Sequence, residues 1–277
     1  MLEKGACRIL MCRPTYFKVS YAINPWMEMK NPVDTKKAME QWNTLKSTIE
    51  KCGATVEVME PTESAKDLPD LVFTANAAIV RGKQVYLANF ALQERKAEWK
   101  INDEWFRQNG FNTYFNEAIP HEGTGDALWC CNGTVLIAGI GKRSDARALS
   151  DIQQRLQTNG DTFKIVPVRL VDDRFYHLDT AFCPLNDKLA LWYPQAFDQA
   201  SQRIMSNYFQ LLPVSESEAK RFACNAVVIG NHVIMNEGSD RIAQLLDQHG
   251  FKVHFVPMSE FVKSGGSAKC LTLRLNP

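Results

Sequence analysis

A thiol, an imidazole and a carboxylate stand out in this chain because each interrupts a stretch that otherwise reads as an apolar strand. Cys270 follows the glycine-rich loop Gly265-Gly266-Ser267-Ala268 and opens an apolar strand. A thiol in that position could act as a nucleophile once ionised, and ionisation needs a neighbouring cation or a bound positive ligand. The plain alternative is a buried thiol behaving as a small hydrophobe. That alternative suits most of the other cysteines, Cys7, Cys12, Cys52, Cys130, Cys131, Cys183 and Cys224, which sit in contexts such as ILMC and FACNAVVI without any CxxC pair.

His177 lies in Tyr176-His177-Leu178-Asp179, where a strand's period of two puts His177 and Asp179 on one face. An imidazole beside a fixed carboxylate can first protonate a leaving group and then deprotonate water; the alternative is a half-buried histidine satisfied by Asp179. His232 at a turn and His249 at a helix end read as solvated, and His254 as an alternating strand residue. Glu122 and Asp126 flank Gly123-Thr124-Gly125. Carboxylates held on such a loop can grip a planar cation through paired charge-assisted hydrogen bonds, although an acidic turn in water is the commoner fate of such a segment. Asn24 in INPWM reads as a turn residue, and Arg95 and Arg143 as solvated helix-end charges. Asn76 in FTANAA differs, because it breaks an apolar run and a buried amide must find partners. No HxxxH, HExxH or clustered Cys/His spacing is present, so neither a metal nor another cofactor is expected.

The elements that must position these groups recur along the chain. Four copies of a helix, a glycine and a short alternating strand occur at KCGATVEVMEP (51–61), RQNGFNTYFNE (107–117), QTNGDTFKIVPV (157–168) and DQHGFKVHFVP (248–257). Paired apolar strands lie between them at 71–90, 126–140, 181–194 and 225–236, with turn pairs Asn132-Gly133, Asn186-Asp187 and Gly230-Asn231. Helices are expected over 34–52, 91–109, 144–158, 197–209 and 239–249. A first strand at 7–13 and a last at 268–275 would complete a fifth unit, with one returning strand degenerate around YFQLLPVSE (208–216). The expected architecture is one α/β domain over residues 1–277, built of pseudo-five-fold ββαβ repeats around a central pocket.

Composition narrows the partner. Lys plus Arg number 32 against 31 Asp plus Glu, so no global field favours nucleic acid or an anionic membrane, and a small molecule is the expected ligand. Hydrophobic residues at 45% exclude a disordered chain. No apolar run of about 18 residues or signal-peptide pattern occurs, and the expected location is the cytoplasm. A homo-oligomer is compatible with the sequence.

As a set, LMCRP, INPWM, VFTANA, EGTGDAL, RFYHLDT, FCPL, FACNAV and GGSAKCLTLR resemble the guanidine-modifying superfamily with the pentein, or five-bladed α/β-propeller, fold. That group includes arginine deiminases, dimethylargininases and amidinotransferases. Within it the chain is most similar to arginine dihydrolases (arginine guanidinases), whose best-known examples form the N-terminal part of cyanobacterial arginine-degrading proteins. The resemblance implies that Cys270 is the nucleophile, His177 the general acid/base and Glu122 a carboxylate that binds and polarises the guanidinium. Asp126 and Asp179 would hold guanidinium nitrogens, Asn24 matches the asparagine of INPWM, and Arg95 and Arg143 fall where arginines able to bind a substrate carboxylate are expected. Deiminases carry an acidic residue where Asn76 stands, and Asn76 implies two rounds of hydrolysis.

The implied reaction takes L-arginine to ornithine, ammonia and carbon dioxide through a covalent thiouronium. A dimethylargininase, an arginine deiminase and a non-enzymatic binding module are the alternatives. Two departures are His121, where an aromatic such as Phe is expected, and Asn89, which replaces a small hydroxyl residue. The chain stops at Pro277, so no second enzymatic domain is expected.

Overall fold

The helices form where apolar spacing and polar punctuation coincide. Asp34 caps the first, its carboxylate accepting from the Lys37 amide at 3.0 Å, and Trp42, Leu45 and Ile49 follow at helical spacing on the buried face. Gly53, Gly110 and Gly250 take positive φ one residue beyond the caps of three helices, as a left-handed ending requires. The structure, a computed structural model, describes residues 7–158 and 160–276. Asn159 of the third repeat copy and the chain's first six residues lie outside that range.

Among the described residues, five three-stranded sheets result. In one, Ala78–Arg81 and Gln84–Leu87 form an antiparallel hairpin, Glu98–Gln108 is the helix, and Asn112–Tyr114 returns parallel to the second strand. The same order recurs in Ala127–Cys130, Val135–Ile140, Ala148–Leu156 and Lys164–Arg169. Phe182–Pro184, Leu189–Trp192, Gln199–Ser206 and Gln210–Pro213 repeat it, so the degenerate copy still supplies its strand. So do Val227–Ile229, His232–Asn236, Asp240–Gln248 and Lys252–Val256.

The fifth sheet joins the ends of the chain. Arg8–Cys12 pairs in parallel with Thr55–Met59, which follows the helix Thr35–Lys51, and antiparallel with Leu273–Arg274. Central strands are flanked on both edges and covered by helices, which is why they read as continuous apolar runs. Among the described residues no helix is long and apolar enough to cross a membrane.

Three expectations are corrected. The helix expected over 91–109 opens as the 3-10 turn Gln93–Arg95, and α-helix begins only at Glu98. The third helix ends at Leu156 with Gln157 extended rather than at a glycine cap. The polar residues expected within or opening strands stand in tight turns instead, Thr74–Asn76, Leu178–Ala181 and the turn containing Cys270, after which only Leu273–Arg274 is strand, while the loop expected at Gly123–Gly125 is a tight turn of the same kind. A pleated ladder is lost because these turns bond to one another instead, mostly between a side chain of one and the backbone of the next. Asn76 Nδ2 donates to the Glu122 carbonyl (3.1 Å) and the Leu178 amide to Asp126 Oδ1 (2.9 Å). Asn225 Nδ2 donates to the Asp179 carbonyl (3.0 Å), the Cys270 amide to Asn225 Oδ1 (3.1 Å), and the Ala75 amide to the Cys270 carbonyl (3.0 Å). Each turn is thereby tied to the next, and the last to the first.

Candidate active site

One polar residue from each turn stands one to three positions before its strand: Asn76, Asp126, Asp179, Asn225 and Cys270. A pocket opens over this junction, lined by Asn24, Asp70, Phe73, Asn76, Arg95, Arg143, Tyr176, His177, Ser264, Gly266, Cys270 and Ile23. A wider groove containing Lys142, Asp173 and Arg169 shares Ile23, Asn24, Arg143 and Tyr176 with it and leads outward.

Cys270 is buried, and its sulfur lies 3.1 Å from Asn225 Nδ2 and 3.5 Å from Asp179 Oδ2. Burial and the Asp179 charge push its pKa well above the usual thiol range, against the Asn225 hydrogen bond and the charge of Lys269. The Gly265-Gly266 pair is needed for closeness: a Cβ at Gly266 would stand 2.4 Å from the Phe73 ring, and one at Gly265, with φ +82°, 2.8 Å from Asn24 and Tyr176.

His177 does not share a strand face with Asp179. It precedes the short helix Leu178–Ala181 with extended backbone, and its Nε2 meets Glu122 Oε2 at 2.6 Å. Glu122 is fully buried, and its carboxylate also accepts from Arg143 Nη1 (3.1 Å) and the Ala91 amide (3.1 Å). Burial opposes its charge, but the His177 hydrogen bond and the positive charges of His177, Arg143 and Arg95 outweigh it and hold the carboxyl down to about 2. Glu122 stands behind His177, not among the pocket-lining residues.

Asp126 is likewise set back. Its oxygens accept from the Leu178 amide and from Ser144 Oγ at 2.6 Å, and burial pushes its pKa up to about 6. A Cβ on Gly139 would meet Asp126 Oδ1 at 2.8 Å, so this carboxylate is packed into the scaffold beneath the His177 turn. Asp179 reaches the cysteine sulfur with Oδ2, while its Oδ1 is buried without a hydrogen-bond partner, and burial raises its pKa.

Arg95 and Arg143 are buried, not solvated helix ends. Arg95 donates to both Glu98 oxygens (2.7 and 2.9 Å), to Asn76 Oδ1 (3.0 Å) and to the Asp70 carbonyl (3.2 Å). Arg143 donates to Glu122 and to the Ile23 carbonyl (2.7 Å), with its guanidinium 4.8 Å from the Tyr176 ring centroid. Asn24 holds the segment over the pocket, its Nδ2 donating to the Ser264 carbonyl (3.0 Å) and its Oδ1 accepting from the Trp26 amide (2.9 Å).

Two residues escape a reading of the sequence. Asp70 lines the pocket as a buried carboxylate accepting from Tyr21 Oη (2.9 Å) and Ser264 Oγ (3.0 Å), and burial raises its pKa. Its setting, DLPDLVF, looks like an ordinary turn. Asn225 was findable: FACNAVVI repeats FTANAAIV, with Asn225 in the place of Asn76.

Five small sheets, tied by their turns around a buried thiol, an imidazole paired to a carboxylate, and arginine and acidic side chains, define a pentein-type guanidine-modifying scaffold. A family model described as N,N dimethylarginine dimethylhydrolase, eukaryotic, matches residues 13–276, and the chain belongs to that family. The bifunctional arginine dihydrolase/ornithine cyclodeaminase ArgZ of a Synechocystis strain is 44% identical over 273 residues, 97% of this chain and 37% of that protein. The chain thus spans little more than a third of that relative. An N(G),N(G)-dimethylarginine dimethylaminohydrolase of Mycobacterium tuberculosis is 36% identical, over 98% of this chain and 86% of that one. Among solved structures, the N-terminal domain of ArgZ, in a cysteine-to-serine variant bound to substrate, superposes with a TM-score of 0.91 at 42% identity, covering 98% of both chains. That domain is described as an arginine dihydrolase from the ornithine-ammonia cycle in cyanobacteria.

Proposed function

We propose that the protein hydrolyses the guanidinium group of L-arginine in two rounds, giving ornithine, ammonia and carbon dioxide. The observation that carries this reading is the single pocket shared by Cys270, His177 and Asn76, with Glu122 locked behind His177. The match to arginine dihydrolases along nearly the whole chain supports it.

In this reading burial and the Asp179 charge keep Cys270 a thiol, and a seated guanidinium supplies the positive charge that favours the thiolate. The thiolate attacks the guanidinium carbon, His177 protonates the departing ammonia, and a thiouronium forms on Sγ. Water deprotonated by His177 then releases a ureido group. A second attack expels the second ammonia and leaves a carbamoylated thiol, whose hydrolysis gives ornithine and carbon dioxide. No metal or organic cofactor enters these steps. Glu122 acts by holding and charging the imidazole, since its oxygens are committed to His177, Arg143 and the Ala91 amide. Asp179, beside the sulfur, is the carboxylate placed to meet guanidinium nitrogens, and Asp126 supports the His177 turn. Arg143 answers the substrate carboxylate, Asp70 its ammonium, and Asn24 holds the covering segment. Arg95, engaged on Glu98, orients Asn76, a neutral amide that lets the ureido group stay bound.

The same reading makes residues 1–277 one domain whose five units stand as blades of an α/β-propeller, in the cytoplasm. The pairing of the first and last strands and the chain of hydrogen bonds among the five turns support the propeller. The test is product analysis with arginine: about two ammonia per ornithine, without citrulline, is expected. Citrulline as sole carbon product would identify a deiminase, and dimethylamine from dimethylarginine with arginine untouched a dimethylargininase. Turnover retained in Cys270→Ser would overturn the shared mechanism.

A further inference from the structure

Outside the pocket, the fold assembles a donor set that no spacing in the sequence shows. Cys52 caps the C-terminal end of the helix Thr35–Lys51, whereas His232 and His254 sit on the neighbouring parallel strands His232–Asn236 and Lys252–Val256. One ligand atom from each of the three lies within 4.8 Å of the others, with the cysteine buried and both histidines half-buried. The rings already meet, His232 Nδ1 lying 2.8 Å from His254 Nε2.

We propose that Cys52, His232 and His254 bind a zinc-type divalent ion through one sulfur and two imidazole nitrogens, with water as the fourth ligand. A thiolate and two imidazoles with no carboxylate is a donor set that suits zinc, whose bonds run about 2.3 Å to sulfur and about 2.0–2.1 Å to nitrogen. Two nitrogens on one tetrahedral ion stand roughly 3.3 Å apart. The His232–His254 contact therefore has to open only slightly from 2.8 Å, exchanging one hydrogen bond for two metal bonds. On binding, the Cys52 thiol releases its proton to solvent. The ring nitrogen that donated between the histidines moves its proton to the ring's other nitrogen, so both ligate as neutral imidazoles. The ion would tie the end of the N-terminal unit's helix to the last unit's sheet, closing a span of about two hundred residues. None of this depends on the reaction proposed above.

Cobalt(II) is the probe, titrated into the otherwise intact Cys270→Ser protein so that the pocket thiol cannot report. One equivalent per chain should produce a near-ultraviolet thiolate-to-cobalt band together with visible bands of a four-coordinate ion, and zinc should bleach both. Adding Cys52→Ser should remove the thiolate band, and His254→Gln should weaken cobalt binding about tenfold or more. Circular dichroism establishes that each variant is folded. A thiolate band unchanged by Cys52→Ser, or no band from folded protein in excess cobalt, would overturn the proposal.

Discussion

Replacing Asn225 isolates how the scaffold would prepare Cys270 for the proposed role of nucleophile. Its Nδ2 donates to Cys270 Sγ at 3.1 Å and to the Asp179 carbonyl, while its Oδ1 accepts from the Cys270 amide. A hydrogen bond to a charged partner contributes about 1.5–3 kcal/mol, and here the charge exists only once the thiolate forms. Asn225→Ala should therefore lower kcat/KM roughly 10- to 100-fold. Because the lost donor favoured the thiolate, the thiol pKa rises, and the rising limb of Cys270 alkylation should move up by roughly one to two pH units. Asn225→Asp separates charge from packing: it can still accept from the Cys270 amide, but its carboxylate repels the thiolate, so its profile should lie above that of Asn225→Ala. Iodoacetamide alkylation of Cys270, followed by mass spectrometry across pH, reads the ionisation directly, with arginine turnover in parallel. An alkylation profile and kcat/KM for Asn225→Ala within twofold of the parent would refute the assignment of Asn225 as a positioning residue.

Three further outcomes are expected. Gly125→Ala should abolish most turnover, because a Cβ there would stand 2.2 Å from Asn76 Nδ2 and 3.3 Å from His177 Nδ1; normal steady-state kinetics would contradict the packing described. His121→Phe should stabilise the fold by about 1 kcal/mol in urea denaturation, since both ring nitrogens of His121 are buried without partners and burial lowers its pKa to about 4. A drop in midpoint would mean that His121 has a partner. Glu122 has a depressed carboxyl, so its charge contributes stability that is present above its ordinary value of 4.5 and is lost as pH falls toward about 2. Between those values the parent's urea midpoint should fall more steeply than that of Glu122→Gln, and parallel curves would count against the buried Glu122–His177 pair.

The ordered skeleton was largely legible from residue order. Positive-φ glycines after helices at Gly53, Gly110 and Gly250, the turn pairs between strands and the apolar central strands are local effects, set by neighbours a few residues apart. The turns that hold Asn76, His177 and Cys270 read as strand in the sequence because the bonds that bend them come from far away. Ala75 answers Cys270, and Leu178 answers Asp126. Arg95 and Arg143 looked like surface charges for the same reason: Arg143 meets Glu122 twenty-one positions back, and Arg95 meets Glu98 at close range but gains Asn76 and Asp70 only through folding.

Residue types and their order thus marked the repeating unit and singled out Cys270 and His177 as candidates, because periodicity and unusual polar residues are written locally, while their proposed roles as nucleophile and acid/base came from the resemblance. Tertiary structure alone decided that Glu122 stands behind His177 rather than in the pocket, that Asp70 joins the pocket wall, and that Asn225 grips Cys270. It also brought Cys52 to His232 and His254. Each of these is a contact between turns or strands of different units, and only packing the units together brings such distant side chains within hydrogen-bonding or ligating distance.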